Sequence, residues 1–121
     1  MKILIIDREG DLYESFKGAY LVSAQIEDIP VESIDLMEKV KDKIPAGYDI
    51  YHVHTSLIRP LSKIVELRKE NPHSYILLRN NLIQNISPEI RSNVNASIDG
   101  LIEGAHIRDA ILFCKERGNK Q

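Results

Sequence analysis

The chain has 121 residues, 43% hydrophobic by type and 28% charged, with 16 basic against 18 acidic side chains for a net charge of −2. That length suits one globular domain that buries roughly two-thirds of the surface its unfolded chain exposes, and two domains would each be too small. The single cysteine, Cys114, excludes a disulfide framework or a thiolate zinc centre, and the near-balance of charge argues against nucleic-acid binding, which needs a clustered basic surface.

No apolar run approaches the ~20 residues that span a bilayer. The run after Lys2 is broken at Asp7, Arg8 and Glu9, where a signal peptide would continue its hydrophobic region. A cytoplasmic chain without membrane contact is therefore expected.

In chain order, Ile3-Leu4-Ile5-Ile6 is predicted as the first strand, followed by a helix over about Asp11 to Lys17. Tyr20-Leu21-Val22, in a window of mixed alternation reaching Ile29, is assigned to strand two. A second helix is predicted over Glu32 to Lys43, with Val31, Ile34, Met37, Val40 and Ile44 on one stripe and Pro45-Ala46-Gly47 as its stop. Ile50-Tyr51-His52-Val53 reads as strand three. A third helix follows from Pro60 to Glu70, where Leu61, Ile64, Val65 and Arg68 share a face and Asn71-Pro72 ends the pattern. Tyr75-Ile76-Leu77-Leu78 reads as strand four. Ser87 as N-cap with Pro88 at the first helical position opens a fourth helix, with Ile90 and Val94 as its stripe. Ile98 to Ile102 reads as strand five, and a last helix from Ala105 to Glu116 turns Ile107, Ala110, Ile111 and Cys114 inward and stops at Gly118.

Short β-branched runs alternating with amphipathic helices imply an α/β fold, a three-layer α/β/α sandwich. For five strands in this length the flavodoxin-like order 2-1-3-4-5 is expected, with right-handed crossovers. One domain is assigned to residues 1–114 and a polar C-terminal tail to 115–121.

Leu36-Met37-Glu38-Lys39-Val40 and then Gly47 to His54 resemble helix two and strand three of response-regulator receiver domains. Ile3 to Asp7 looks like their first strand, Asn95 to Ile102 is similar to the approach to their fifth, and Ile107 to Cys114 resembles their last helix. The likeness covers nearly the whole chain. It implies a site in which a working receiver holds Mg²⁺ on two acids after strand one and accepts phosphate on an Asp ending strand three. A Ser or Thr after strand four and a Lys after strand five read the phosphate. Here Asp7 matches one acid but is followed by Arg8, although Glu9 could stand in, and the phosphoacceptor position falls on His54. Arg79, Asn80 and Asn81 follow strand four without a hydroxyl, and Glu103 and Gly104 follow strand five without a Lys. The resemblance thus implies a degenerate pseudo-receiver, a non-catalytic regulatory or protein-interaction domain with no cofactor. The common partner face of receivers, helix four, strand five and helix five, would carry Arg91, Asn95, Arg108 and Lys115 here, for a protein partner or a second copy.

Asp49 to Ser56 also resembles a strand of family-4-type glycosyltransferases, and Ile98 to Ile102 with Arg108 to Ile111 is similar to a later segment of theirs. That alternative implies a nucleotide or nucleotide-sugar binding domain. The second domain and the Gly-rich turn of those enzymes are missing from this sequence.

Ligands of parallel sheets bind at the carboxyl ends of the strands. The candidate pocket there comprises Asp7, Glu9, His54, Ser56, Arg79, Asn80 and Glu103, with Arg8 and Thr55 nearby. Arg79, Asn80 and Ser56 could bind a small anion, Arg79 through its bidentate fork. Structurally, Arg79 could instead bridge Asp7 and Glu103 where an active receiver keeps its metal and lysine. His52 and His54 are two apart on a strand and project to one face. They could chelate zinc or copper; alternatively His52 packs in the core and His54 pairs with Asp7. No metal is assigned. Ser56 near His54 lacks a specified orienting acid for a catalytic triad, and no Gly-rich phosphate loop can be drawn.

Overall fold

A computed structural model describes residues 1–80 and 86–119. The elements are β1 (Lys2–Ile6), α1 (Asp11–Ile26), β2 (Ser33–Met37), β3 (Ile50–His54), a 3-10 turn (Thr55–Leu57), α2 (Lys63–Glu70), β4 (Tyr75–Asn80), α3 (Pro88–Ser92), β5 (Ala96–Asp99) and α4 (Gly104–Asn119). The strands form one five-stranded sheet in the order β2-β1-β3-β4-β5, every pairing parallel. This is the expected flavodoxin-like order. Among the described residues no helix is long and apolar enough to cross a membrane.

Strand side chains alternate between two cores. Ile3 and Ile5 of β1, Ile50 of β3 and Leu77 of β4 pack under α1 and α4, against Phe16, Tyr20, Ile107 and Ile111. Leu4, Ile6, Tyr51, Val53, Ile76 and Leu78 point the other way, onto Ile64 and Leu67 of α2 and Ile90 of α3. Strands buried on both faces need apolar residues at every position, which is why they read as continuous runs.

Two expected elements are corrected. Tyr20-Leu21-Val22 is not strand two; it lies inside α1, which runs well past Lys17. The buried residues Tyr13, Phe16, Tyr20 and Ala24 are spaced three or four apart, the period of a helix. The expected helix from Glu32 to Lys43 is absent, and its first half is β2, paired Ile3↔Ile34 and Ile5↔Leu36 with the free edge of β1. The piece likened to a receiver's helix two, Leu36 to Val40, therefore lies in β2 and the irregular segment after it. Residues 38–49 contain no helix, and Val40, Ile44 and Tyr48 pack directly on the α2/α3-side core. Seven residues separate β2 from Pro45, too short a run to sustain a helix by propagation alone, and the residue before a proline disfavours the helical region. Tyr48 is tied instead by its hydroxyl, which donates to Asp35 Oδ2 at 2.6 Å.

Other boundaries move less. α2 starts at Lys63, β5 lies at Ala96–Asp99 with Ile102 buried beyond its end, and α3 is a five-residue helix. Ser87 caps it as expected, its Oγ accepting the Ile90 N–H at 3.3 Å. α4 continues through Gly118 to Asn119, so residues assigned to a polar tail are helical, and Lys115 pairs with Glu27, the C-cap of α1, at 3.5 Å. Lys120 and Gln121 lie outside the described residues.

Candidate functional site

The register of the sheet puts three polar residues in one row at the carboxyl ends of adjacent strands. Ile6 pairs with Val53, so Asp7 follows β1 level with His54, and His54 pairs with Arg79 of β4. Asp7 and His54 are in sequence step with Ile5 and His52, so the row rises from the α1/α4 side of the sheet.

Arg79 reaches across His54, and its Nη1 donates to Asp7 Oδ2 at 3.0 Å. The other carboxylate oxygen accepts the Arg8 backbone N–H at 2.8 Å and lies 3.6 Å from His54 Nδ1. Ser56 closes the row, its Oγ at 3.2 Å from the same imidazole nitrogen. Asp7 is only 4% exposed, so these neighbours replace its water. Burial, and then the Arg79 guanidinium, push the His54 imidazole below its ordinary range, while Asp7 pulls the other way.

Above the row an open cleft of about 280 Å³ is walled by Arg8, Glu9 and Gly10 of the β1–α1 loop and by Asp11 at the start of α1. Gly10, the N-cap of α1, has φ 146, a conformation that side chains rarely adopt. The Glu9 N–H donates to Glu38 Oε1 at 2.9 Å, tying the loop to the end of β2, while the Glu9 side chain is exposed.

Two predicted pocket residues do not join the row. Asn80 is buried and turns to β5, its Nδ2 donating to Ser97 Oγ at 2.7 Å and Asp99 Oδ1 at 2.9 Å. Glu103 is exposed and its N–H donates to His106 Nδ1; it forms no ion pair with Arg79. Of the two salt links expected of Arg79, only that to Asp7 is present. Asn81 lies outside the described residues. Thr55 is buried at the start of the 3-10 turn.

His52 projects from the same face of β3 as His54 but is sealed beneath α1. Its Nδ1 hydrogen-bonds the Tyr20 hydroxyl at 2.8 Å and its ring lies 4.5 Å from that of Phe16. Burial first, then Arg79 and His54, hold its pKa at about 3, so it is a neutral core residue. Among the described residues no group of three His, Cys, Asp or Glu side chains could hold a metal ion. The Mg²⁺ that a receiver site implies does not fit here, because Asp7 already carries a fixed cation, Arg79, and has Arg8 where a second acid belongs.

The residues carried over as a partner face divide. Asn95 is structural: its Oδ1 accepts the Ile76 N–H at 2.8 Å and Arg68 Nη2 at 2.6 Å. Arg91 is exposed on α3, while Arg108 and Lys115 stand on the side of α4 that faces α1. Sequence reasoning missed the bracket formed by Arg68, which also donates to the carbonyls of Asn93 and Ser74. The signal was present, a cation on the otherwise apolar stripe of Ile64 and Val65.

No protein-family model and no curated sequence matches the chain. Solved structures do. A receiver domain of AraT, a response regulator from Geobacillus stearothermophilus, is 15% identical with a TM-score of 0.67, over 98% of this chain and 95% of that one. A response regulator receiver domain protein from Clostridium thermocellum is 12% identical with a TM-score of 0.65, over 98% and 97%. An orphan response regulator of H. pylori is 13% identical with a TM-score of 0.52, over 97% and 95%. The chain has the receiver fold along essentially its whole length, and these likenesses do not favour the glycosyltransferase alternative.

Proposed function

We propose that this chain is a non-catalytic interaction domain on a receiver fold, working in the cytoplasm, whose state does not depend on phosphorylation of an aspartate. The observation that carries the reading is the row Asp7–His54–Arg79. An imidazole ends β3 at the phosphoacceptor register, and a guanidinium sits 3.0 Å from the acid that a metal would need. A largely buried ion pair of this kind is part of the folded ground state, so one arrangement of the strand ends is held without a ligand. Output then comes from a surface. That surface we assign to the receiver-type face of α3, β5 and α4, where Arg91 on α3 and Leu101 between β5 and α4 are exposed.

The test is to add a small acyl phosphate with Mg²⁺ and follow backbone amide shifts. Amides of Asp7, His54 and Arg79 should stay within the change that salt alone produces. Saturable shifts there, or a mass increase of one phosphoryl group, would sink the reading.

A further inference from the structure

The loop from β5 to α4, Gly100 to Glu103, carries the exposed Leu101 beside Ile102, which is buried in the core that α1 and α4 cover. Its far end is fixed by the start of α4. The Glu103 carbonyl accepts the His106 N–H at 3.0 Å and the Ile107 N–H at 3.4 Å, which makes Glu103 the N-cap residue. In return the Glu103 N–H donates to His106 Nδ1 at 2.9 Å. This is one half of a capping box, in which a glutamate or glutamine at the third helical position accepts the N–H of the N-cap residue.

A histidine in that position differs from glutamine in one respect. Nδ1 accepts only while it carries no proton, and the imidazolium has a donor on both nitrogens and no acceptor. A cation there is also set against the positive end of the helix. Both effects have the same sign: neutral solution makes the bond and acid removes it. The ring is half-buried, so solvent protons reach it. The charged groups of the elements around it do not supply a substitute. Glu103 itself and Asp109, one turn on along α4, are exposed; their carboxylates steady a charged ring but leave the Glu103 N–H without its acceptor. Asp99 of β5 accepts Asn80 Nδ2, and Arg79 of β4 is turned to Asp7.

We propose that His106 is a pH-sensitive latch on the β5–α4 loop. The neutral ring ties the Glu103 N–H to the first turn of α4, and the protonated ring releases it, leaving Ile102 as the anchor of that end of the loop. Leu101 lies in the released stretch, so acidification loosens the surface that carries it. That consequence rests on the proposed use of the α3, β5 and α4 face; the latch is a property of the chain alone.

Backbone amides of the isotope-labelled full chain, followed from about pH 8 to pH 5, where a histidine ordinarily changes charge, test it. The Glu103 and Gly104 amide shifts should move together with the His106 ring protons. Exchange of the Glu103 N–H, corrected for the intrinsic effect of pH, should quicken ~2- to 10-fold, as for loss of one hydrogen bond. His106→Gln accepts the same bond at every pH and should abolish the step, His106→Ala should resemble the acidic state throughout, and His73→Gln should leave the step in place. A Glu103 amide that does not follow the His106 ring, or a step that survives His106→Gln, would overturn the proposal. The amides of Asp7, His54 and Arg79 in the phosphodonor experiment report on the non-phosphorylated reading separately.

Discussion

Asp7 is only 4% exposed, and the Arg8 N–H and the Arg79 guanidinium take the place of water at its carboxylate oxygens. Removing the guanidinium leaves a nearly buried carboxylate without its ion-pair partner at 3.0 Å, whereas removing both charges leaves no unpaired charge behind. Arg79→Met should therefore cost about 2 kcal/mol in urea denaturation, and Asp7→Asn combined with Arg79→Met should recover most of that loss. Equal losses in the single and double variants would show that the pair contributes nothing. All three residues of the row were legible in the sequence, because each follows an apolar run at a strand end. Glu103 was misplaced for the same reason: β5 ends at Asp99, earlier than its apolar run suggested. The Tyr20–His52 bond is not legible in the sequence, since Tyr20-Leu21-Val22 has the composition of a strand and the two residues meet only when α1 lies on the sheet.

At the level of elements, α3 shows local chemistry prevailing. Five residues cannot hold a helix by propagation alone, so Pro88–Ser92 depends on the Ser87 cap and on burial of Ile90. Ser87→Ala should destabilise the protein by about 1 kcal/mol, read as a lower denaturation midpoint with an unchanged slope. A change within error would mean that Ile90 packing alone holds the helix. β2 shows the opposite. Val31, Ile34, Met37, Val40 and Ile44 have helical spacing, yet Ser33–Met37 is a strand because β1 offers an unpaired edge there. A short amphipathic sequence is ambiguous between the two periods, and its neighbour decides. The exposed apolar residues of α1 made the same ambiguity worse, since an amphipathic helix is not expected to show them to solvent.

Across the whole molecule, the two imidazoles of β3 set a pH dependence. Both are held below the ordinary histidine value of 6.5, chiefly by burial and then by Arg79. Below that pH the unfolded chain binds protons that the native state refuses, so stability falls as the solution is acidified; above it neither group contributes. For His52, held at about 3, the loss approaches ~1.4 kcal/mol per pH unit through the window between the two values. His52→Gln, which retains a group able to bond Tyr20, should flatten the slope of unfolding free energy between those limits. An unchanged slope would place the proton uptake elsewhere. The sequence by itself determined the class of fold, the strand order and the edge at which Asp7, His54 and Arg79 meet, because apolar runs and strand ends are local features of composition and period. Only the tertiary structure decided that β2 replaces a helix, that Arg79 reaches Asp7 and not Glu103, and that α1 leaves Val22 and Ile26 exposed. Each of those depends on which groups from distant parts of the chain become neighbours.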